Sequence, residues 1–273
     1  MVVKKILAAS IAASLLASVA PASAAINENA NQSDFKNVET KQLTSSNGEY
    51  LGTEKKVVTI TRNDDNGNVK YTMVEEIDYT LAPEYQGIPA YERDFKDRTD
   101  INTYEITASN QFIVNNQEVS LESSKVTSQV QASARVALAA AAADKGGIPT
   151  HSHYYSTADL QTYTFATYSN LDWSGTAYAA PAGSHAKKTV KRTNMYYQDA
   201  KSSIDMFTND YNDFVFDYGS FLVLSGLSAA TLETLVGWIP FAGGAGFQAL
   251  QAYNSYQDAK SNIGKAYLYV NAM

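Results

Sequence analysis

From Tyr218 to Gln257 the chain runs through forty residues with one charged side chain, Glu233. So much apolar surface must be buried in a core or placed in a membrane. Two apolar arms flank a Trp238-Ile239-Pro240 turn. Pro240 cannot continue a helix, and Gly243 and Gly244 take left-handed backbone angles freely, so 218–257 reads as an apolar helical hairpin. The first arm, Tyr218 to Ile239, has about 22 residues, the length of a bilayer-crossing helix, whereas Phe241 to Gln257 is marginal. Gly226 with Ala230, and Ala245 with Ala249, are small residues four apart, which lets helices approach closely in lipid. Trp238 suits a membrane interface. Glu233 opposes insertion, at about 2.5–3.5 kcal/mol if charged at a bilayer centre. The alternative is a permanent helical core with Ser, Thr and Ala at its tight contacts.

The flanking sequence has helical period. Tyr197, Ala200, Ile204, Phe207, Tyr211, Phe214, Tyr218 and Phe221 are spaced three and four apart, as are Ala249, Ala252, Tyr256, Ala259, Ile263, Ala266 and Val270. Each set draws one stripe on an α-helix. The octapeptides from Tyr197 (YQDAKSSI) and from Tyr256 (YQDAKSNI) place Tyr, Ala and Ile on that stripe, and Gln, Asp, Lys and Ser away from it. An unbroken helix from Tyr196 to Val236 would be about 60 Å long, roughly twice what can follow Gly246. A bend or break between Asp217 and Gly226, near Asp217 to Gly219, is therefore expected, giving at least three helices, running up, down and up, within a helical bundle at 193–273. Apolar arms, a tight turn and flanking amphipathic helices resemble, in outline, the hairpin of colicin-type toxins. That resemblance implies a hairpin hidden in the soluble form and exposed at a target membrane.

Residues 1–25 have the pattern of a secretory signal. Lys4 and Lys5 precede a short apolar core, Ile6 to Val19, and Ala22-Ser23-Ala24 is a small-residue cleavage site, with Ala25 a near-equal alternative. The mature chain is expected to be secreted and extracellular. Its formal charge shifts from −7 to −9 on loss of those two lysines, which argues against nucleic acid as the main partner. The chain has no cysteine, which excludes disulfides, thiol catalysis and zinc–thiolate sites.

The polar stretch 26–54 reads as a flexible leader. From Lys55 the chemistry becomes that of strands. Val57 to Thr61 and Val69 to Val74 flank an Asn66-Gly67 turn, and Phe112 to Val114 and Val119 to Leu121 flank Asn115-Asn116, two hairpin signals. Tyr79 to Asp100 reads as a loop-rich connection with a helical turn. Ala132 to Ala143, stopped by Gly146-Gly147 and Pro149, is a helix or a linker within 132–147. Tyr163, Phe165 and Thr167 alternate as a strand, and Thr176 to Ala180 can pair back after a turn. The fold class is therefore α+β, with an antiparallel β-rich region at 55–192 followed by the helical region.

Lys187, Lys188, Lys191 and Arg192 place four cations within six residues. They suit an anionic lipid or cell-envelope polymer, a protease site, or a solvated strand edge protected against aggregation. His151 and His153 share a face if that segment is a strand, but no carboxylate nearby has metal-ligand spacing, so no metal site is assigned. His185 is the third histidine. There is no GxSxG, HExxH or phosphate-binding glycine loop, so neither an enzyme nor a cofactor is expected. Tyr154, Tyr155, Tyr163, Tyr168 and Tyr178 can form a carbohydrate- or protein-binding face, or ordinary cross-strand packing, which the sequence favours. The leading reading is a membrane-active, toxin-like or bacteriocin-like protein whose hairpin inserts. The alternative is a non-catalytic secreted or wall-associated binding or structural protein, with an unrecognised hydrolase third.

Overall fold

Asn66 and Gly67 both adopt positive φ (49° and 85°) and join the two longest strands among the described residues. Asn115 and Asn116 do the same for a shorter pair, with φ of 50° and 65°. Both expected turns are therefore built from residues that tolerate the left-handed region. The computed structural model describes residues 32–109, 111–119, 152–174, 176, 178–241 and 243–273. The signal segment, the Ala132 to Ala143 stretch and His151 lie outside the described residues.

The chain is mixed α+β, with antiparallel sheets first and helices last. A six-stranded meander comprises β1 (Gln32–Thr44), β2 (Tyr50–Asp65), β3 (Asn68–Leu81), β4 (Arg98–Ile106), β5 (Phe112–Val114) and β6 (Gln117–Glu118), in that spatial order. A short helix, α1 (Pro89–Asp94), lies between β3 and β4 with proline in its first turn. A second sheet comprises β7 (His153–Ser156), β8 (Thr162–Asp172) and β9 (Ala180–Lys191). The helices are α2 (Tyr197–Ser225), α3 (Leu232–Trp238) and α4 (Gly244–Ala272).

The expected flexible leader is corrected here: from Gln32 it is strand, paired residue for residue with β2 (Val38 opposite Val57, Lys41 opposite Glu54). Its inward positions include Glu39 and Lys41, so no apolar alternation marks it. They face a helix that presents carboxylates. Lys41 and Lys56 both pair with Asp213 of α2. At the end of β1, the Asn209 amide accepts from Thr44 N (3.1 Å) and donates to Thr44 O (2.9 Å). Asp205 accepts from Ser46 N at 2.9 Å.

α2 and α4 run antiparallel in contact with each other. Asp210 accepts from Asn262, Asp217 accepts from Gln248 and Ser255, and Ile204 packs with Ala266 and Val270. The pair lies between the two sheets. On one side Tyr253 meets Tyr104 and Phe112 edge-on. On the other Tyr256 packs edge-on to Trp173 and donates to Leu171 O. Ile204 and Ile263 are both fully buried, as their stripe positions require.

One helical expectation is met only at its outer bound, and another is corrected. α2 passes through Asp217 and Gly219 without a break, because Asp217 finds donors on α4. The helix ends at Gly226, the far bound of the expected break, whose φ of 72° is a left-handed cap. Nor are there three long helices running up, down and up, since α3 is a seven-residue connector. In the YQDAKSSI copy, Lys201, Ser202 and Ser203 are buried rather than turned to solvent, because α2 has packed neighbours on both sides.

Candidate functional site

The apolar segment forms one end of the helical layer. After Gly226 the chain crosses to α3, where Thr231 caps the helix by accepting from Thr234 N at 3.2 Å. The Tyr218 hydroxyl ties down the crossing, accepting from Ala230 N (2.8 Å) and donating to Ala230 O (2.9 Å). The chain then turns through Ile239, Pro240 and Phe241 to Gly243, whose φ is 108°, and enters α4. Gly246 is the glycine this turn needs most. A Cβ there would lie 1.9 Å from Phe241 O. Sequence reasoning chose Gly243 and Gly244 and missed it, since the close approach is tertiary.

The inner side of this end is core: Phe221, Leu235, Val236, Ile239, Phe247 and Leu250 are buried with residues from both sheets. Its outer side exposes three large apolar side chains. Val223 is 80% exposed, Phe241 61% and Leu224 56%. Trp238 is half-buried, edge-on to Phe221 and 5.5 Å from Phe241. Leu224 also lies against Gly244, within 3.6 Å of where a Cβ would sit. Glu233 is half-buried in the first turn of α3, where the helix dipole favours a carboxylate. Its Oε2 is buried without a hydrogen-bond partner.

The expected 22-residue arm is therefore not one helix. It is split by residues 226–231, and no helix among the described residues is long and apolar enough to cross a membrane. Gly226 is a helix cap with open space around it rather than a close helix–helix contact. Pro240 contributes a carbonyl, which accepts from Arg62 Nη1 at 2.6 Å.

A second feature, absent from the sequence reading, is a polar seam between α2, α4 and the large sheet. Burial pushes Asp217 up to about 7 and Asp205 up to about 6, despite Lys56 near the first and Lys201 and Tyr91 near the second. Burial also raises Glu75, Asp210 and Asp258, with the like charge of Asp258 adding to the shift of Asp210 and that of Glu75 adding to the shift of Asp258. For Asp213 burial acts the same way, but Lys56 and Lys41 outweigh it and hold the carboxyl below its usual range. Within the seam, a cavity of about 10 Å³ is lined by Glu39, Lys56, Glu75, Asp213, Asp217 and Gln251, room for a single water.

The remaining candidates lie elsewhere. Lys187, Lys188 and Lys191 stand exposed on β9, an edge strand, with Arg192 in the turn after it. That strand end packs beside Tyr197 and Val270, at the opposite end of the helix pair from the tip. A 29-residue helix spans about 43 Å, so the cations do not surround the apolar end. His153 stacks on Tyr155, and His185 lies tilted against Tyr168. No group of three or more metal-capable His, Cys, Asp or Glu occurs among the described residues. The tyrosines do not make one face: Tyr154 and Tyr163 are core, and the Tyr154 hydroxyl donates to Asp205, while Tyr155 and Tyr178 are exposed.

No family model, curated protein or solved structure matches the chain. The site itself carries the functional reading.

Proposed function

We propose that this is a secreted, membrane-active protein of the toxin or bacteriocin kind, acting on a lipid bilayer through the segment 218–257. The observation that carries the reading is the tip: exposed Phe241 beside half-buried Trp238, with Val223 and Leu224 exposed near the end of α2, in forty residues with one charge. Exposed large apolar side chains gathered at one end of a fold suit an interaction site. The proposed inserted form is a helical hairpin in which residues 226–231 join the end of α2 to α3, with Pro240 to Gly244 as its turn. The rest of the fold shields the inner side of these arms until they reach lipid. The basic end of β9 suits an anionic envelope polymer, leaving the tip, at the other end, for the membrane. The signal-like residues 1–25 support export, and no catalysis is part of this proposal.

A second reading has its own support. Phe221, Leu235, Ile239 and Phe247 belong to the main core, which suits a non-catalytic binding or structural protein whose apolar segment never leaves. The experiment is Trp238 fluorescence with lipid-borne quenchers, in a Trp173→Phe background because Trp173 is buried in that core, read beside dye release from vesicles. Quenching with release supports insertion. An unquenched Trp238 on a folded, vesicle-bound protein overturns it in favour of the permanent core.

A further inference from the structure

The apolar end is tied to the large sheet by side chains near the turn of the β2–β3 hairpin. Tyr71 donates to the carbonyl of Ile239 at 2.6 Å, and Arg62 Nη1 donates to the carbonyl of Pro240 at 2.6 Å. These carbonyls are left over where α3 ends, since Pro240 cannot carry the helix on. Arg62 is itself aimed: Nε and Nη2 donate to the two carboxylate oxygens of Asp64 at 2.8 and 2.9 Å. Its remaining nitrogen also donates to the Tyr71 hydroxyl, and its guanidinium lies 5.7 Å from that ring. Around this cluster Phe35 stacks on Phe247 at 5.2 Å, and Tyr71 meets Phe247 edge-on. One small group of residues thus holds both the end of α3 and the first turn of α4.

We infer that Asp64, Arg62 and Tyr71 form a latch that keeps the apolar segment docked, and that its opening governs how fast the segment becomes available to lipid. The inference rests on the membrane-active reading for its second half only. The geometry suits a latch because the ties go to backbone carbonyls. Inside the inserted hairpin those carbonyls would have to find other donors, so the tip cannot leave while Tyr71 and Arg62 hold them. Bonds from a charged donor are also stronger than neutral ones. The tie from Arg62 is therefore the stronger of the two, and Asp64 acts as a positioning residue through it.

The test uses the full mature chain and the variants Tyr71→Phe, Arg62→Met and Asp64→Asn. Hydrogen exchange without lipid reads the latch itself. Exchange across 232–247 is expected to speed up about fivefold in Tyr71→Phe and tenfold or more in Arg62→Met, with Asp64→Asn between wild type and Arg62→Met. Exchange in β8 should not change, which separates local release from general destabilisation. Unchanged exchange across 232–247 in all three variants overturns the latch. Dye release from vesicles of equal phosphatidylcholine and phosphatidylglycerol is then compared in the same order. Faster release in step with exchange supports the whole inference. Faster exchange with unchanged release keeps the latch but overturns its role in membrane action.

Discussion

Asp213 on α2 and Lys56 on β2 form an ion pair at 2.9 Å inside the seam between the helices and the large sheet, with Lys41 paired to the same carboxylate. Removing the shared anion leaves two lysines in the seam without it. Asp213→Ala is expected to cost about 3–5 kcal/mol, measured by urea unfolding. Lys188→Ala, on the exposed edge strand, should stay within about 0.5 kcal/mol.

The seam sets a pH dependence. Asp205, Asp210, Asp217, Asp258 and Glu75 all have raised carboxyl pKa values in the folded state. The folded protein therefore binds more protons than the unfolded chain between about pH 7 and the ordinary carboxylate range near 4. In that window stability rises as pH falls. Asp213 and Asp94 are shifted the other way, below their usual range. The stability they contribute is present above the ordinary range and is lost as pH drops through their folded values. The urea midpoint should increase from pH 8 to about pH 5 and then fall toward pH 3. A midpoint that declines steadily from pH 8 to pH 5 contradicts this. Mild acid thus tightens the seam, so acidification does not by this route release the helices.

Two glycines test the helical end in opposite directions. Gly219 lies inside α2 with open space where a Cβ would go, so Gly219→Ala should stabilise by about 0.5–1 kcal/mol. A Cβ at Gly246 would run into Phe241 O, so Gly246→Ala should destabilise by about 1–3 kcal/mol. Thermal melting of both variants checks the pair.

Leu224→Lys places a charge on the exposed tip. Because Leu224 is mostly solvated, stability should change by no more than about 0.5 kcal/mol. On the proposed membrane action, dye release should fall at least tenfold, since the lysine would have to enter lipid. Retained release in a folded variant argues that the tip is not the membrane-facing surface.

The helical stripes and both Asn-containing turns were legible because each rests on local periodicity or on backbone angles that few residues tolerate. β1 was not, because Glu39 and Lys41 interrupt its inward row, and the partner of Lys41, Asp213, lies on a helix far along the chain. The end of α2 was misplaced for a related reason. A charge at Asp217 reads as an interruption until Gln248 and Ser255 are known to face it. The tip residues Trp238 and Pro240 were marked by composition. Their partners Tyr71 and Arg62 were not, because nothing local in β2 or β3 says which carbonyls lie above them.

The pairing of β1 with α2 also bears on the order of assembly. Thr44 and Asn209 bond to each other across 165 positions of sequence, while β1 to β4 pair with their immediate neighbours. Neighbouring hairpins close quickly, and contacts between distant positions close late. A chain emerging from its N-terminus can therefore zip up the meander early, yet Lys41, Lys56 and Glu75 wait on its surface for carboxylates and amides not yet made. The early intermediate should be a sheet whose inner face leaves Lys41, Lys56 and Glu75 uncovered beside Val58, Ile60 and Met73, and cooperativity should arrive only with α4. Truncation after Ser225 would then leave paired strands that unfold gradually rather than in one step.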